Sequence, residues 1–150
     1  ELIKIRLELL SKINSIPISL ILAQSIIESG WGVSRFAQEG NALFGQWTWK
    51  NDDGIKPTGN LNANFSVKNF DSLLDSVNSY ILNLNTHPAY KGLRSFRLSQ
   101  YNSGKNITGK DMANFLDKYA EIGVEYVIKV KKMIEIYQLS KYENSILAKF

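Results

Sequence analysis

No cysteine occurs among the 150 residues, so disulfides play no part in this fold. That absence still leaves an oxidising compartment open. No apolar run is long enough to span a membrane. The longest, Ile16 to Ile27, is broken by Ser19, Gln24 and Ser25. No internal repeat, interdomain linker or nucleic-acid-binding motif stands out, which argues against a nucleic-acid partner. The chain opens at Glu1 without a methionine, as expected of a trimmed precursor, and this leaves localisation unread.

What is present is ordinary for a globular protein: 44% hydrophobic and 21% charged residues, in a length that suits one domain spanning 1–150. The net charge is +4 and the sequence pI about 9.2. Such a surface suits an anionic partner, whether nucleic acid, anionic lipid or acidic wall polymer, without choosing among them. The tightest basic group, Lys129, Lys131 and Lys132, reads as the solvated face of a helix.

The periodicity predicts a mostly helical chain. Leu2 to Ile13 has helical spacing. Ser15 is placed to cap a second helix, with Pro17 in its first turn and Gly30 just past its end. That helix is apolar nearly all round, as a central helix would be. Ser34 to Glu39 reads as a short helix closed by Gly40. From about 46 to 69 the character changes to Trp47, Thr48, Trp49, a turn-rich "NDDGIKPTGN" and "NFSV", which predicts a small hairpin-like β lobe. Helical pattern returns in "FDSLLDSVNSYILNLN", in "HPAYKGLRSFRLSQYNSG" with Asn102 and Gly104 as stop signals, and in "GKDMANFLDKYAEIG" behind a Thr108 cap. A last helix runs over Val124–Leu139, after Gly123. Asn85 and Thr86 read as caps, and His87, the one histidine, as a structural residue before Pro88. The fold class is α+β, predominantly α: a helical body with a small β-hairpin lobe. A groove between two such parts is a natural ligand site.

Glu28 is the residue that asks for a reason. At about 100° per residue, Gln24, Glu28 and Trp31 share one stripe of the second helix. Apolar neighbours and the negative end of the helix dipole both disfavour a charged carboxylate there and raise its expected pKa. A carboxylic acid still protonated near neutrality can act as a general acid. The residues alone leave a second reading open, a plain ion pair with Arg35. Around it cluster Trp31, Phe36, Phe44, Trp47 and Trp49, which suit either a lobe core or sugar-stacking platforms. Asn41 suits either a ligand hydrogen bond or loop support. Tyr90 and Arg94 lie one turn apart on a later helix and are further candidates for the groove.

The stretch "AQSIIESGWGVSRFAQEGNALFGQW" resembles family 73 of the glycoside hydrolases, the peptidoglycan-cleaving β-N-acetylglucosaminidases. "ESGWG", "SRFA" and "GNALFG" match in order and spacing. "LFGQW" and "YILNLNTHPAYKGLR" are similar to the Bax-type bacterial branch, and "YAEIGVEYVIKVKKMI" resembles the family's tyrosine-containing segment. The resemblance runs from about Ser19 to Ile136. It implies a lysozyme-like α+β fold with Glu28 as catalytic acid and Tyr119 as an active-site tyrosine. Asn41 and Phe44 would line the site; the reading of the residues themselves adds Gln24, Trp31, Trp47 and Tyr90 as candidate substrate contacts. The resemblance also implies peptidoglycan glycan strands as substrate, cleaved after N-acetylglucosamine, with no metal or cofactor, in a periplasmic or exported monomer.

The sequence departs from the family at the second carboxylate. Family members often carry an acidic residue in the β lobe; here the lobe offers only Asp52 and Asp53, in a segment that reads as turn chemistry. Either of these can serve, or the substrate's own acetamido group can attack the anomeric carbon, or Tyr119 can stabilise developing charge. Rival readings are a muramidase or lytic transglycosylase on the same fold, and a non-catalytic peptidoglycan-binding module.

Overall fold

A computed structural model describes residues 1–49, 54–57 and 64–145. The chain forms two compact units: a helical unit of Glu1–Ala23 with Ile81–Phe150, and a lobe unit of Gln24–Tyr80. The chain passes between them within helix α2 (Ile18–Ser29) and again within α4 (Leu73–Thr86).

The helical unit contains α1 (Leu2–Lys12), α5 (Lys91–Asn102), α6 (Gly109–Ala113) and α7 (Val124–Ile136), with 3₁₀ turns at Pro88–Tyr90 and Leu139–Tyr142. Its core is built from Leu20, Leu84, Leu93, Met112, Leu116, Val130 and Ile134, all essentially out of solvent. The period-3.6 apolar positions of α2, α5 and α7 account for this packing. Thr108 caps α6 as expected, in a full capping box with Asp111. The segment that reads as one long helix after Thr108 is α-helical only to Ala113. It then tightens into i→i+3 turns, with Phe115 N–H on Met112 O and Tyr119 N–H on Leu116 O. α1 forms where expected and packs on α5, but none of its residues is buried.

Two polar devices hold this unit. Arg97 is 1% exposed and donates to the carbonyls of Ser11, Asn14 and Ser15 and to Asn85 Oδ1, at 2.6–3.0 Å. Burial, with the cation of Arg94 beside it, pushes Arg97 down to about 10, so it stays charged at neutral pH. Asn85 and Thr86 do not cap a following helix. Asn85 joins this clamp inside α4, and Thr86 bonds back to Leu82 O. The second device is Glu143. Its carboxylate accepts from Ile18 N–H at 2.9 Å and from the Ser19 hydroxyl, so it caps α2 in place of Ser15. A carboxylate suits the positive end of a helix, and Ser15 lies two residues before Pro17, whose carbonyl accepts the first bonds of the helix.

The lobe unit holds α3 (Arg35–Gly40) and a three-stranded antiparallel sheet, β1 (Trp47–Thr48), β2 (Gly54–Ile55) and β3 (Ser66–Lys68), in the order β1-β3-β2. Trp47 pairs with Val67, and Ile55 pairs with Val67 from the other side. The predicted hairpin is therefore a three-strand sheet with β3 in the middle; strands of two and three residues are too short to show a period. Ser34 caps α3 by accepting from Ala37 N–H at 3.2 Å. Gly40 is the last residue of that helix. A Cβ there would sit 2.8 Å from Ile55 Cδ1, and Asn41 takes the left-handed terminal position at φ 50°. No helix among the described residues is long and apolar enough to cross a membrane.

Candidate active site

Glu28 is half-buried in the last turn of α2. The backbone just beyond it is unusual. Gly30, Trp31 and Gly32 all have positive φ, at 58°, 63° and 76°. The first is a common helix ending: Trp31 N–H reaches Ile26 O at 3.0 Å, the six-to-one bond of a Schellman motif. Continuation through Trp31 is not common, because a left-handed backbone costs an L-residue roughly 1–2 kcal/mol. Neither flanking glycine is there for lack of room, since a Cβ at either would meet nothing within 4 Å. Both are there for their φ. The result keeps Trp31 56% exposed, three residues beyond Glu28. Arg35, the alternative partner for Glu28, has its guanidinium at Glu39, 3.5 Å away, and on the carbonyl of Lys56.

The other candidates of the lobe unit divide into interior and surface. Gln24 is fully buried and its Oε1 accepts from Tyr80 Oη at 2.5 Å. Phe44 is buried and stacks on the same Tyr80, with centroids 4.1 Å apart and planes 13° from parallel. Gln24 and Phe44 thus meet through Tyr80, in the interior rather than on a surface. Asn41 spends its Nδ2 on Phe70 O at 2.9 Å, which makes it a loop-supporting residue. Trp47 is exposed and stacks on Phe65 at 4.5 Å. Asp52 and Asp53 lie outside the described residues.

In the helical unit a chain of rings forms. Tyr119 stacks on Tyr126 at 5.3 Å and lies 6.3 Å from Tyr90, which is tilted against His87 at 5.8 Å. Tyr90 is buried, and Tyr119 is half-buried. His87 accepts from Ala89 N–H and opens the 3₁₀ turn, the structural role expected of it. Arg94 is buried, donating to Leu84 O and His87 O, and faces the interior. Sequence reasoning missed Tyr80 and Tyr126. Both sit at core positions of amphipathic helices, where a tyrosine looks like any other apolar residue. Among the described residues no three His, Asp or Glu gather as a metal site.

Residues 6–139 match the Glucosaminidase family, described as mannosyl-glycoprotein endo-beta-N-acetylglucosaminidase. The chain belongs to this family. As a glucosaminidase domain it falls among the glycoside hydrolases, and a glycan is the substrate class this implies. Protein bax of Escherichia coli (strain K12) is 35% identical over 121 residues, covering 79% of this chain and 42% of that protein. The glucosaminidase domain thus spans under half the length of this curated relative.

Proposed function

We propose that this domain hydrolyses the β-1,4 bond after N-acetylglucosamine in peptidoglycan, in the periplasm or outside the cell. Glu28 is the general acid that protonates the leaving glycosidic oxygen. The observation that carries this reading is local: a half-buried carboxylate in the last turn of α2 precedes a strained turn that keeps a tryptophan exposed. A carboxylic acid placed beside an exposed ring is the kind of group that can donate the proton such a step needs. Trp31 and Trp47 are the exposed candidates, and an indole ring suits the apolar face of a sugar.

The three strands of the lobe carry no carboxylate. The second role therefore goes to Asp52 or Asp53, or to the substrate's acetamido oxygen, which closes on the anomeric carbon and is opened again by water.

Product analysis of digested wall glycan tests the reading. A new reducing N-acetylglucosamine end supports it, a reducing N-acetylmuramic end makes the domain a muramidase, and a 1,6-anhydro end makes it a transglycosylase. Wall binding without soluble fragments over a range of pH makes it a binding module. An Asp52→Asn/Asp53→Asn variant that keeps its rate assigns the second role to the acetamido group.

A further inference from the structure

The turn after Glu28 is held by bonds of two kinds. Trp31 N–H to Ile26 O, Val33 N–H to Gly30 O and Ser34 N–H to Ser29 O join backbone to backbone, which any sequence can do. Two others depend on side chains, and both grip Gly32. The Ser29 hydroxyl accepts from Gly32 N–H at 2.7 Å while donating to Ser25 O at 2.5 Å. Gln38, from α3, donates its Nε2 to Gly32 O at 2.6 Å. Ser29 is 2% exposed, and Gln38 is exposed. One hydroxyl thus ties the last turn of α2 to the residue after Trp31, and one amide fixes the same residue through its carbonyl.

We infer that Ser29 and Gln38 are positioning residues: together they clamp Gly32 and hold Trp31 in its left-handed backbone, as a rigid platform for an N-acetylhexosamine ring next to the proton donor. Glycine is the residue least able to hold a backbone by itself, and here two glycines flank the tryptophan with open space at each Cβ position. Side-chain bonds to Gly32 supply the restraint that packing at those points does not. A rigid platform loses little freedom when ligand binds, so its contribution appears in binding rather than in proton transfer. The role in glycan binding rests on the function proposed above; the clamp itself does not.

The test compares Ser29→Ala and Gln38→Glu, which remove the acceptor and the donor, with Trp31→Ala and with each double variant. Gln38 lies on the surface, so its variant remains informative if Ser29→Ala folds poorly. Hydrogen exchange at the Gly32 amide and the indole N–H resonance of Trp31 report the clamp without any assay of activity. Both single variants are expected to speed Gly32 exchange and move the Trp31 signal. On soluble wall fragments they are expected to raise KM about fivefold with a smaller change in kcat, the range of one aromatic contact. In the Trp31→Ala background the same substitutions are expected to change KM no further. An unmoved indole and unchanged exchange in both variants overturn the clamp. An equal loss with and without Trp31 overturns its action through the platform. A wild-type domain that cleaves no wall glycan sinks the proposed function, while exchange and indole still decide the clamp.

Discussion

In the helical unit the buried polar groups include two arginines, Arg94 and Arg97, which donate chiefly to backbone carbonyls; in the lobe unit, among the described residues, they are neutral, Gln24, Ser29, Ser66 and Ser76. The backbone differs in the same sense. Among the described residues, five of the eight with positive φ, Gly30, Trp31, Gly32, Asn41 and Gly45, fall in the lobe unit. The helical unit is made of regular elements joined by strong, charged ties. The lobe unit is made of short elements set by turns and by neutral hydrogen bonds, with Arg35 on Glu39 and the Lys56 carbonyl as an exposed charged tie. Glu28 stands at the start of the irregular region, so the residue proposed for chemistry rests on the more finely adjusted half.

The largest effect expected is on activity alone. Glu28→Gln removes the donated proton and is expected to lower the rate on wall glycan by about 10²-fold or more, with the melting temperature nearly unchanged. A zymogram that the variant still clears breaks the assignment. Next comes the charged tie. Arg97→Met removes the donor of four hydrogen bonds and is expected to cost about 3 kcal/mol, which calorimetry would read as a drop of about 10 °C. A drop of a degree or two would show that the arginine clamp is dispensable and that the contrast between the units is overstated.

Smaller effects are expected from the single ties, neutral or charged. Tyr80→Phe leaves the ring stacked on Phe44 but drops the bond to buried Gln24, at an expected cost of about 1–2 kcal/mol by chemical denaturation. Glu143→Ala removes the cap of α2 and is expected to cost about 1 kcal/mol. If Glu143→Ala outweighs Arg97→Met, the ranking is wrong.

Regular helices were legible in the sequence because their signals are local. Thr108 with Asp111, Asn102 and Gly104 after α5, and Gly123 before α7 lie within a few residues of the ends they mark. The cap of α2 was not legible, because Glu143 lies 125 residues from Ile18. The stripe of Gln24, Glu28 and Trp31 was sound as a helical wheel but silent on depth: Gln24 is interior, Glu28 half-buried and Trp31, past the helix end, exposed. The amphipathic pattern of α1 likewise said nothing of whether a core would receive it. At the candidate site, "ESGWG" gave the acid and the glycines. The positive φ of Trp31 and the reach of Gln38 from the next helix belong to three dimensions.

One consequence concerns how α2 tolerates change. Its 12 residues begin at a peptide held by Glu143 and end at Ser29, whose hydroxyl fixes the following turn. An inserted or deleted residue anywhere between would rotate everything beyond it by about 100° and shift it by about 1.5 Å. A change of length has no slack to enter. In descendants of this gene α2 should vary in letters and never in count.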